Sequence, residues 1–250
     1  MDAWPPEVLA VLEQYRDAFE YMERERPDRY DPTGYNPALS HRYEVAIKEL
    51  RRALDGYALR GWHCTRLTDQ EARAIVADGL GLPNELMLAR RIDDRVAEGS
   101  LQAEIAAILK SRHQAADEGR AGLLWFCFYP PGLAGERGIE RFFRHWGGEA
   151  LYNYHEEDPI TSPMLRAIGR PALVEADVPI SRLTKNSFLP ERVMKQFLGF
   201  SRDGTHRRLK HEDRIVQPLS AAFVRRIVRY PDDPEFLRLT GCEQWREPLA

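Results

Sequence analysis

Residues 61–68, Gly-Trp-His-Cys-Thr-Arg-Leu-Thr, carry polar and reactive side chains in a stretch with the composition of a β-strand. Successive side chains of a strand point to opposite faces of its sheet, so His63 and Thr65 share one face. We predict a strand over residues 57–67 that presents an imidazole and a hydroxyl side by side. The opposite face carries the side chains of Trp62, Cys64 and Arg66.

Helical patterns surround this strand. Apolar residues recur at helical spacing over Ser40 to Leu54 and stop at Gly56. The segment from Thr68 to Glu71 is a Ser/Thr-x-x-Glu capping box that opens the next helix. Residues 83–118 are again helical, divided at residues 99–100, and form a long helical insertion.

The second half of the chain is predicted to contain short strands. Leu123 to Tyr129, L-L-W-F-C-F-Y, is a continuous apolar run between Gly122 and Pro130, which is typical of a buried strand. Further strands are predicted at residues 150–154, 172–178, 215–219 and 224–230, and helices at 139–146 and 191–198. Helices at the front, strands at the back and no regular βαβ alternation predict an α+β fold.

The composition is that of a globular protein, with 43% hydrophobic and 30% charged residues among 250 and a net charge of −3. No apolar run is long enough to span a bilayer, and the N-terminal residues show no signal-peptide pattern. The three cysteines are far apart and form no C-x-x-C pair, which argues against a disulfide scaffold and a structural zinc site. We therefore expect a cytoplasmic protein with no membrane partner.

One charged segment has two interpretations. Residues 202–214, R-D-G-T-H-R-R-L-K-H-E-D-R, are rich in Arg, Lys and His. Such a run can bind phosphate groups, and it can equally be a solvated basic loop. The net charge of the chain does not distinguish these interpretations.

Several common catalytic motifs do not fit the sequence. Neither phosphate-loop fingerprint is present, and H-E-x-x-H is absent. The cluster H-E-E-D at residues 155–158 precedes Pro159 and is interpreted as a loop, so no metal site is predicted. His63 and Cys64 are adjacent on a strand and point to opposite faces, so they do not form a nucleophile and its base.

Three features follow one another in an order that resembles the ADP-ribosyltransferase superfamily. His63-x-Thr65 lies on the first strand, the aromatic run 123–129 on a middle strand, and Glu212 precedes a late strand. A proline and a final apolar strand ending near a tyrosine come next. These later positions are Ile215, Val216, Pro218, Val224, Ile227, Val228 and Tyr230.

The resemblance implies a split sheet of mixed or antiparallel strands, similar to the ADP-ribosyltransferase core, that uses NAD⁺ as co-substrate. Glu212 would be the catalytic acid that stabilises positive charge on the nicotinamide ribose. His63 would hold the ribose, with Thr65 assisting, and the backbone of Cys64 or Thr65 would bind the carboxamide. Loss of such a group is expected to lower the rate by a factor of about 10²–10³ or more.

Two further kinds of contact to NAD⁺ are implied. An aromatic side chain would stack on the nicotinamide ring, and the sequence leaves Trp125, Phe126 and Tyr129 as candidates, with plain core packing as the alternative. Arg66 would bind the pyrophosphate through its guanidinium, or it is a surface charge at the end of the strand.

A second acid competes with Glu212 for the catalytic role. Glu149 follows two glycines at residues 147–148, which allow a close approach of the backbone, and Tyr152 lies three residues further on. Glu149 is therefore a rival or a partner of Glu212, with a surface glutamate after a helix C-cap as the alternative.

The resemblance also implies a domain organisation. Residues 1–56 would be an N-terminal helical extension, 57–235 the catalytic core with the insertion at 83–118, and 236–250 a C-terminal tail. ADP-ribose would be transferred to a macromolecule, either nucleic acid or protein. The family suggests a bacterial toxin or defence effector, with an antitoxin or another regulatory partner.

Two other functions compete with this interpretation. One is an enzyme similar to RNA 2′-phosphotransferases, which would place a second basic residue beside His63, where this chain has Trp62. The other is a non-enzymatic binding module that retains the fold. In such a module His63 and Glu212 would lie far apart, or would be buried and paired. Side chains placed around one cleft would count against the module, whereas side chains on opposite sides of the sheet would contradict the enzyme.

Overall fold

The computed structural model describes residues 4–25, 35–184, 188–199 and 210–249, the side chains of residues 24 and 25 excepted. Most of the basic run at 202–214 lies outside these described residues. The chain divides into two compact units, one of residues 1–58, 179–181 and 185–211 and one of residues 59–178, 182–184 and 212–250. The predicted boundary after residue 56 is thus close to a unit boundary, whereas residues 185–211 belong with the N-terminal segment and not with the predicted core.

The helices and strands of the described residues are numbered in chain order. The helices are α1 (Pro6–Gln14), α2 (Arg16–Glu20), α3 (Pro37–Leu54), α4 (Asp69–Asp78), α5 (Glu85–Ala97), α6 (Ala103–Ser111), α7 (Glu136–Arg144), α8 (Glu149–His155), α9 (Thr161–Ala167), α10 (Leu189–Leu198) and α11 (Pro234–Thr240). The strands are β1 (Ala58–Leu67), β2 (Gly79–Leu80), β3 (Leu124–Cys127), β4 (Arg170–Pro179), β5 (Glu212–Ile215), β6 (Leu219–Ser220) and β7 (Val224–Arg229). None of the described helices is both long and apolar enough to cross a membrane.

The first unit is helical and is built from α1, α2, α3 and α10. Helix α3 begins at Pro37, directly after Asn36, whose side chain accepts a hydrogen bond of 3.1 Å from the Leu39 amide. Such a cap satisfies one of the amides that a helix leaves unpaired at its start. Fully buried apolar side chains form the core of this unit, among them Val8, Leu12, Phe19 and Leu50.

The second unit contains a five-stranded sheet in the order β5-β3-β1-β4-β7. The β1–β3, β3–β5 and β4–β7 pairs are antiparallel, and β2 and β6 form a separate antiparallel pair. The predicted α+β class is confirmed. Strand β1, the predicted 57–67 strand, lies at the centre of the sheet, and the divided helical insertion is present as α5 and α6.

Two predicted strands are wrong. Residues 150–154 belong to helix α8, because Leu151, Tyr152 and His155 are buried along one face of a helical turn. The strand predicted at 215–219 lies earlier in the chain and starts at Glu212, so the glutamate is part of β5 and does not precede it. The hydropathy pattern misses the start of this strand because Asp213 is polar although it is buried. Asp213 accepts a hydrogen bond of 2.8 Å from the Thr184 hydroxyl.

The segment predicted as a C-terminal tail is part of the second unit. Helix α11 is followed by a 3₁₀ turn at Cys242–Gln244, and apolar side chains from both are buried in a cluster with residues of α7. Phe143 of α7 packs edge-on against Phe236 with ring centroids 5.0 Å apart. The last fifteen residues therefore complete the core beneath the sheet.

The buried His145 makes the stability of this unit depend on pH. Its side chain is 2% exposed, and its Nε2 accepts a hydrogen bond of 3.3 Å from Arg166 Nε. Burial and the charge of Arg166 lower the pKa of His145 to about 4. Below pH 6.5 the unfolded chain therefore binds a proton that the folded chain does not, and folding stability falls as the pH is lowered towards 4.

We expect the free energy of unfolding to fall by about 2 kcal/mol between pH 7 and pH 5 through His145 alone. Urea unfolding at the two pH values measures this loss, and most carboxylates stay ionised over this range. The variant His145→Gln should lose this part of the pH dependence and keep the part that His63 contributes, because burial lowers the pKa of His63 too. His41→Gln, at an exposed position on α3, should retain the whole of it. An equal pH dependence in all three proteins contradicts the assignment.

Candidate active site

The sheet is open between the neighbouring strands β1 and β3. Strands β1 and β3 pair at one position, Trp62 with Cys127, whereas β3 and β5 pair along all four residues of each strand. On the closed side of this pair the strands are in tight contact, because a Cβ atom on Gly61 would lie 2.8 Å from the Phe128 ring. From His63 onwards β1 runs without a partner on its β3 side.

A cavity of about 420 Å³ lies at this opening. Its walls include four consecutive residues of β1, Trp62 to Thr65, and three consecutive residues of β3, Trp125 to Cys127. Consecutive side chains alternate between faces, so a cavity that contacts all of them lies along the strand edges and not on one face. Backbone amide and carbonyl groups that a continuous ladder would use thus border the cavity.

His63 presents a neutral imidazole to this cavity. Its Nδ1 lies 3.0 Å from the carbonyl oxygen of Trp125. Because a carbonyl only accepts hydrogen bonds, Nδ1 carries the proton and Nε2 is left as an acceptor. Burial lowers the pKa of His63, and the charge of Arg91 lowers it further, although the bond to Trp125 opposes both effects. At neutral pH the residue can therefore accept a hydrogen bond from a ligand hydroxyl.

Glu212 lies on the other side of the opening, at the start of β5, where it pairs with Cys127. Its side chain is exposed and borders the cavity. The Tyr129 hydroxyl donates a hydrogen bond to Glu212 Oε1. Burial raises the pKa of Tyr129, as does this bond, so the phenol stays protonated and holds the carboxylate in place. Tyr129 thus orients Glu212, a role that the sequence did not indicate.

His63 and Glu212 border the same cavity, although the strand register directs their side chains to opposite faces of the sheet. The register places Glu212 on the face of Cys127 and Trp62, and His63 follows Trp62 by one residue. Their access to one cavity follows from its position along the strand edges. Within the part of the chain that the structure describes, no hydrogen bond or ion pair joins the two side chains. They are not paired with each other. The register places their side chains on opposite faces of the sheet, which counts against the enzyme interpretation, whereas their common place in the wall of one cavity supports it.

The thiol of Cys64 is not activated. A hydrogen bond with Cys127, burial and the nearby charge of Glu212 raise its pKa well above the usual range. Because the thiolate is the nucleophilic form, a protonated Cys64 contributes shape and backbone groups to the cavity and no nucleophile. Thr65 borders the same cavity, as predicted for the neighbour of His63.

Two arginines in the cavity wall had no sequence signal. Arg91 donates to Glu71 at 2.7 Å, and its guanidinium lies over the Trp146 ring, 4.6 Å from the centroid. Arg120 is bound to Asp117 at 3.0 Å. The capping box places Glu71 in the first turn of α4, but local sequence does not reveal which distant side chain its second oxygen binds.

Glu149 is the other carboxylate of the cavity. It lies at the N-terminus of α8, directly after Gly147 and Gly148, whose φ values are +87° and +60°. Its Oε2 lies 3.5 Å from Arg120 Nε, and Tyr152 donates to its Oε1 at 3.1 Å. Glu149 is therefore an acid held by a guanidinium, which distinguishes it from Glu212, whose described partner is a phenol.

Arg66 and Tyr152 do not border the cavity, and both contact other residues of the protein. The Arg66 guanidinium donates to the carbonyl oxygens of Ile168 at 2.7 Å, Phe143 at 2.9 Å and Arg166. Arg66 is 6% exposed, so its donors serve the protein interior and not a ligand. The Tyr152 ring packs edge-on against Phe142, with centroids 5.8 Å apart.

Of the three aromatic candidates for stacking, Phe126 is buried although it borders the cavity, and the exposed one that borders it is Trp125. Its side chain is 40% exposed, and the Arg214 guanidinium lies 4.7 Å from the ring centroid. Tyr129 is buried and engaged with Glu212. The structure thus brings Trp125 to the cavity beside His63, Cys64, Thr65, Glu149 and Glu212.

The cavity combines two guanidinium groups with two carboxylates and a neutral imidazole. Among the described residues, no group of three or more His, Cys, Asp or Glu side chains is arranged to hold a metal ion. No protein-family model, no curated protein and no solved structure matches the chain.

Proposed function

We propose that the protein is an NAD⁺-dependent ADP-ribosyltransferase whose site is the cavity between β1 and β3. The observation that carries the proposal is the open edge of β1 at His63, which borders one cavity with Glu212. A strand edge without a neighbouring strand offers amide and carbonyl groups to a planar amide ligand, in the manner of a further strand. The resemblance to ADP-ribosyltransferases implies a split sheet, and the single residue pair between β1 and β3 supports that arrangement.

The charges of the cavity suit this co-substrate. NAD⁺ carries a cationic nicotinamide ring and an anionic pyrophosphate, and the cavity offers carboxylates at Glu149 and Glu212 and guanidiniums at Arg91 and Arg120. Guanidinium groups bind phosphate oxygens through paired hydrogen bonds. Cavities of this size lie in the range of small-molecule sites, roughly 300–1,000 Å³. Arg91 and Arg120 take the place that the sequence assigned to Arg66.

The chemistry would proceed by cleavage of the glycosidic bond. The bond between C1′ of the ribose and the pyridinium nitrogen breaks, its electron pair leaves with nicotinamide, and positive charge develops on the ribose. Glu212 stabilises that charge, and His63 accepts a hydrogen bond from a ribose hydroxyl through Nε2. The nucleophilic atom of the acceptor then bonds to C1′, and its proton passes to the Glu212 carboxylate. Trp125 stacks on the nicotinamide ring.

The acceptor is a macromolecule, either nucleic acid or protein. Release of nicotinamide from NAD⁺ by the purified protein, with and without RNA, DNA and cell lysate, tests the reaction and identifies the acceptor class. Release that one additive stimulates supports transfer to that class, whereas release without any additive indicates hydrolysis. A folded protein that releases no nicotinamide under any condition contradicts the proposal and favours the binding module.

The pH dependence of the reaction tests His63 separately. Protonation would turn Nε2 from an acceptor into a donor, so activity should fall as the pH drops through the pKa of His63. Because that pKa is lowered from 6.5, the acid limb of kcat/KM should have its midpoint below pH 6.5. The variant His63→Gln keeps an acceptor oxygen but does not titrate, and it should lack this limb. An unchanged acid limb in His63→Gln would assign the titration to another group.

A further inference from the structure

A second depression, of about 450 Å³, lies at the far end of β1 in the second unit. It is bordered by the first turn of α4, the end of α5, the start of β4 and the end of β7. None of its lining residues takes part in the cavity between β1 and β3. Four arginines share its wall: Arg73, Arg95, Arg170 and Arg229.

Two of these arginines have a buried N–H group without a partner. Arg95 is 4% exposed and binds Gln70 at 2.6 Å and Glu98 at 2.7 Å, yet its Nε has no hydrogen-bond partner. Arg229 binds Asp69 at 2.6 Å through Nη2, and its buried Nε is also unpartnered. Buried donors are normally satisfied. Two that lack a partner among the described residues, on arginines that both line one depression, therefore favour an acceptor there.

The charges of the depression favour an anion. Four guanidiniums face the carboxylates of Asp69 and Glu98 in the lining. Arg229, and then Arg170 and Arg73, lower the pKa of Asp69, so three positive charges surround this one carboxylate. Among the described residues Arg73 has no hydrogen-bond or ion-pair partner of its own. Arg170 is half exposed and pairs with Asp232 at 2.6 Å, a surface contact that is readily exchanged.

We propose that this depression binds a phosphate group, either of a free phosphate or of a nucleic-acid backbone. A phosphate presents more oxygens to neighbouring guanidinium forks than a carboxylate does, and it can therefore bind several of them at once. It would accept from the unpartnered N–H groups of Arg95 and Arg229 and would neutralise Arg73. Asp69 then acts as an internal competitor whose carboxylate partly occupies the site.

Calorimetric titration of the full-length protein at low ionic strength tests the proposal with two probes. One probe is inorganic phosphate, and the other is a ten-nucleotide single-stranded DNA without terminal phosphates, which offers only diesters. The variant Arg73→Ala should weaken binding of the active probe about tenfold, the loss of one charge-assisted hydrogen bond. Asp69→Asn should strengthen that binding, because it removes the competing charge. The matched control, Arg238→Ala, replaces an arginine of α11 that is 71% exposed and should leave binding unchanged.

The probe that binds identifies the source of the phosphate. Saturable binding of either probe that responds to Arg73→Ala, and not to Arg238→Ala, supports the site. Binding of neither probe by the folded protein overturns the proposal. Equal losses in Arg73→Ala and Arg238→Ala overturn it as well, because they indicate attraction by overall charge.

Discussion

Replacement of Glu212 by glutamine is expected to lower the rate of nicotinamide release by at least about 100-fold. Glutamine has the shape of glutamate, and its side-chain oxygen can still accept the hydrogen bond that Tyr129 donates to Oε1. What is lost is the negative charge that stabilises the cationic ribose in the transition state. The loss should therefore appear in kcat, with KM for NAD⁺ little changed.

Two matched variants test whether the effect on kcat is specific to the Glu212 carboxylate or comes from any negative charge in the cavity. Glu149→Gln removes the other carboxylate of the same cavity, and its effect should be much smaller because Glu149 is held by Arg120. Tyr129→Phe removes the donor that orients Glu212 and should cost about tenfold in kcat. Release that survives in Glu212→Gln but is lost in Glu149→Gln would mean that Glu149 is the catalytic acid. All variants should unfold at urea concentrations close to that of the unchanged protein.

Local patterns predict much of the fold and only part of the site. The capping box from Thr68 to Glu71 predicts the start of α4, because both of its hydrogen bonds lie within four residues. The strand around His63 and the division of the helical insertion near Gly99 are likewise local features. The pattern predicts a strand at residues 150–154, directly after Glu149, where the structure has helix α8. Five residues are too few to distinguish a buried helical turn from a strand by hydropathy.

The rest of the site depends on contacts between distant segments. Arg91 reaches the cavity wall because Glu71 and Trp146 hold it, and these three residues are far apart in sequence. Tyr129 meets Glu212 because β3 and β5 are adjacent strands, an order that no local pattern specifies. Sequence spacing thus indicated several of the residues that border the cavity, and the sheet order determines which of them touch.

Arg66 shows the opposite case, a residue predicted to bind the ligand that instead stabilises the fold. Its guanidinium donates to backbone carbonyls near the C-terminal ends of α7 and α9, where helices leave carbonyl groups unpaired. A positive charge is also favourable at these helix ends. Burial lowers the pKa of Arg66 to about 10, so the side chain remains charged at neutral pH.

Arg66→Met is therefore expected to lower the free energy of unfolding by about 3–5 kcal/mol, because it leaves three buried carbonyl groups without their donors. Urea unfolding at pH 7 measures this loss. The control Arg60→Met changes a half-exposed arginine of the same strand, which pairs with Glu175 and Asp177. It should cost about 1 kcal/mol or less, because Arg226 and Arg225 still pair with these two carboxylates.

Arg66→Lys distinguishes the two roles of this residue. A lysine keeps the charge but cannot donate to three carbonyls in the directions of a guanidinium fork, so stability should still fall, while KM for NAD⁺ of the folded protein stays unchanged. If Arg66 bound the pyrophosphate, KM would rise several-fold at nearly unchanged stability. That result would contradict the structural role, because it requires the guanidinium to leave the helix ends for the cavity.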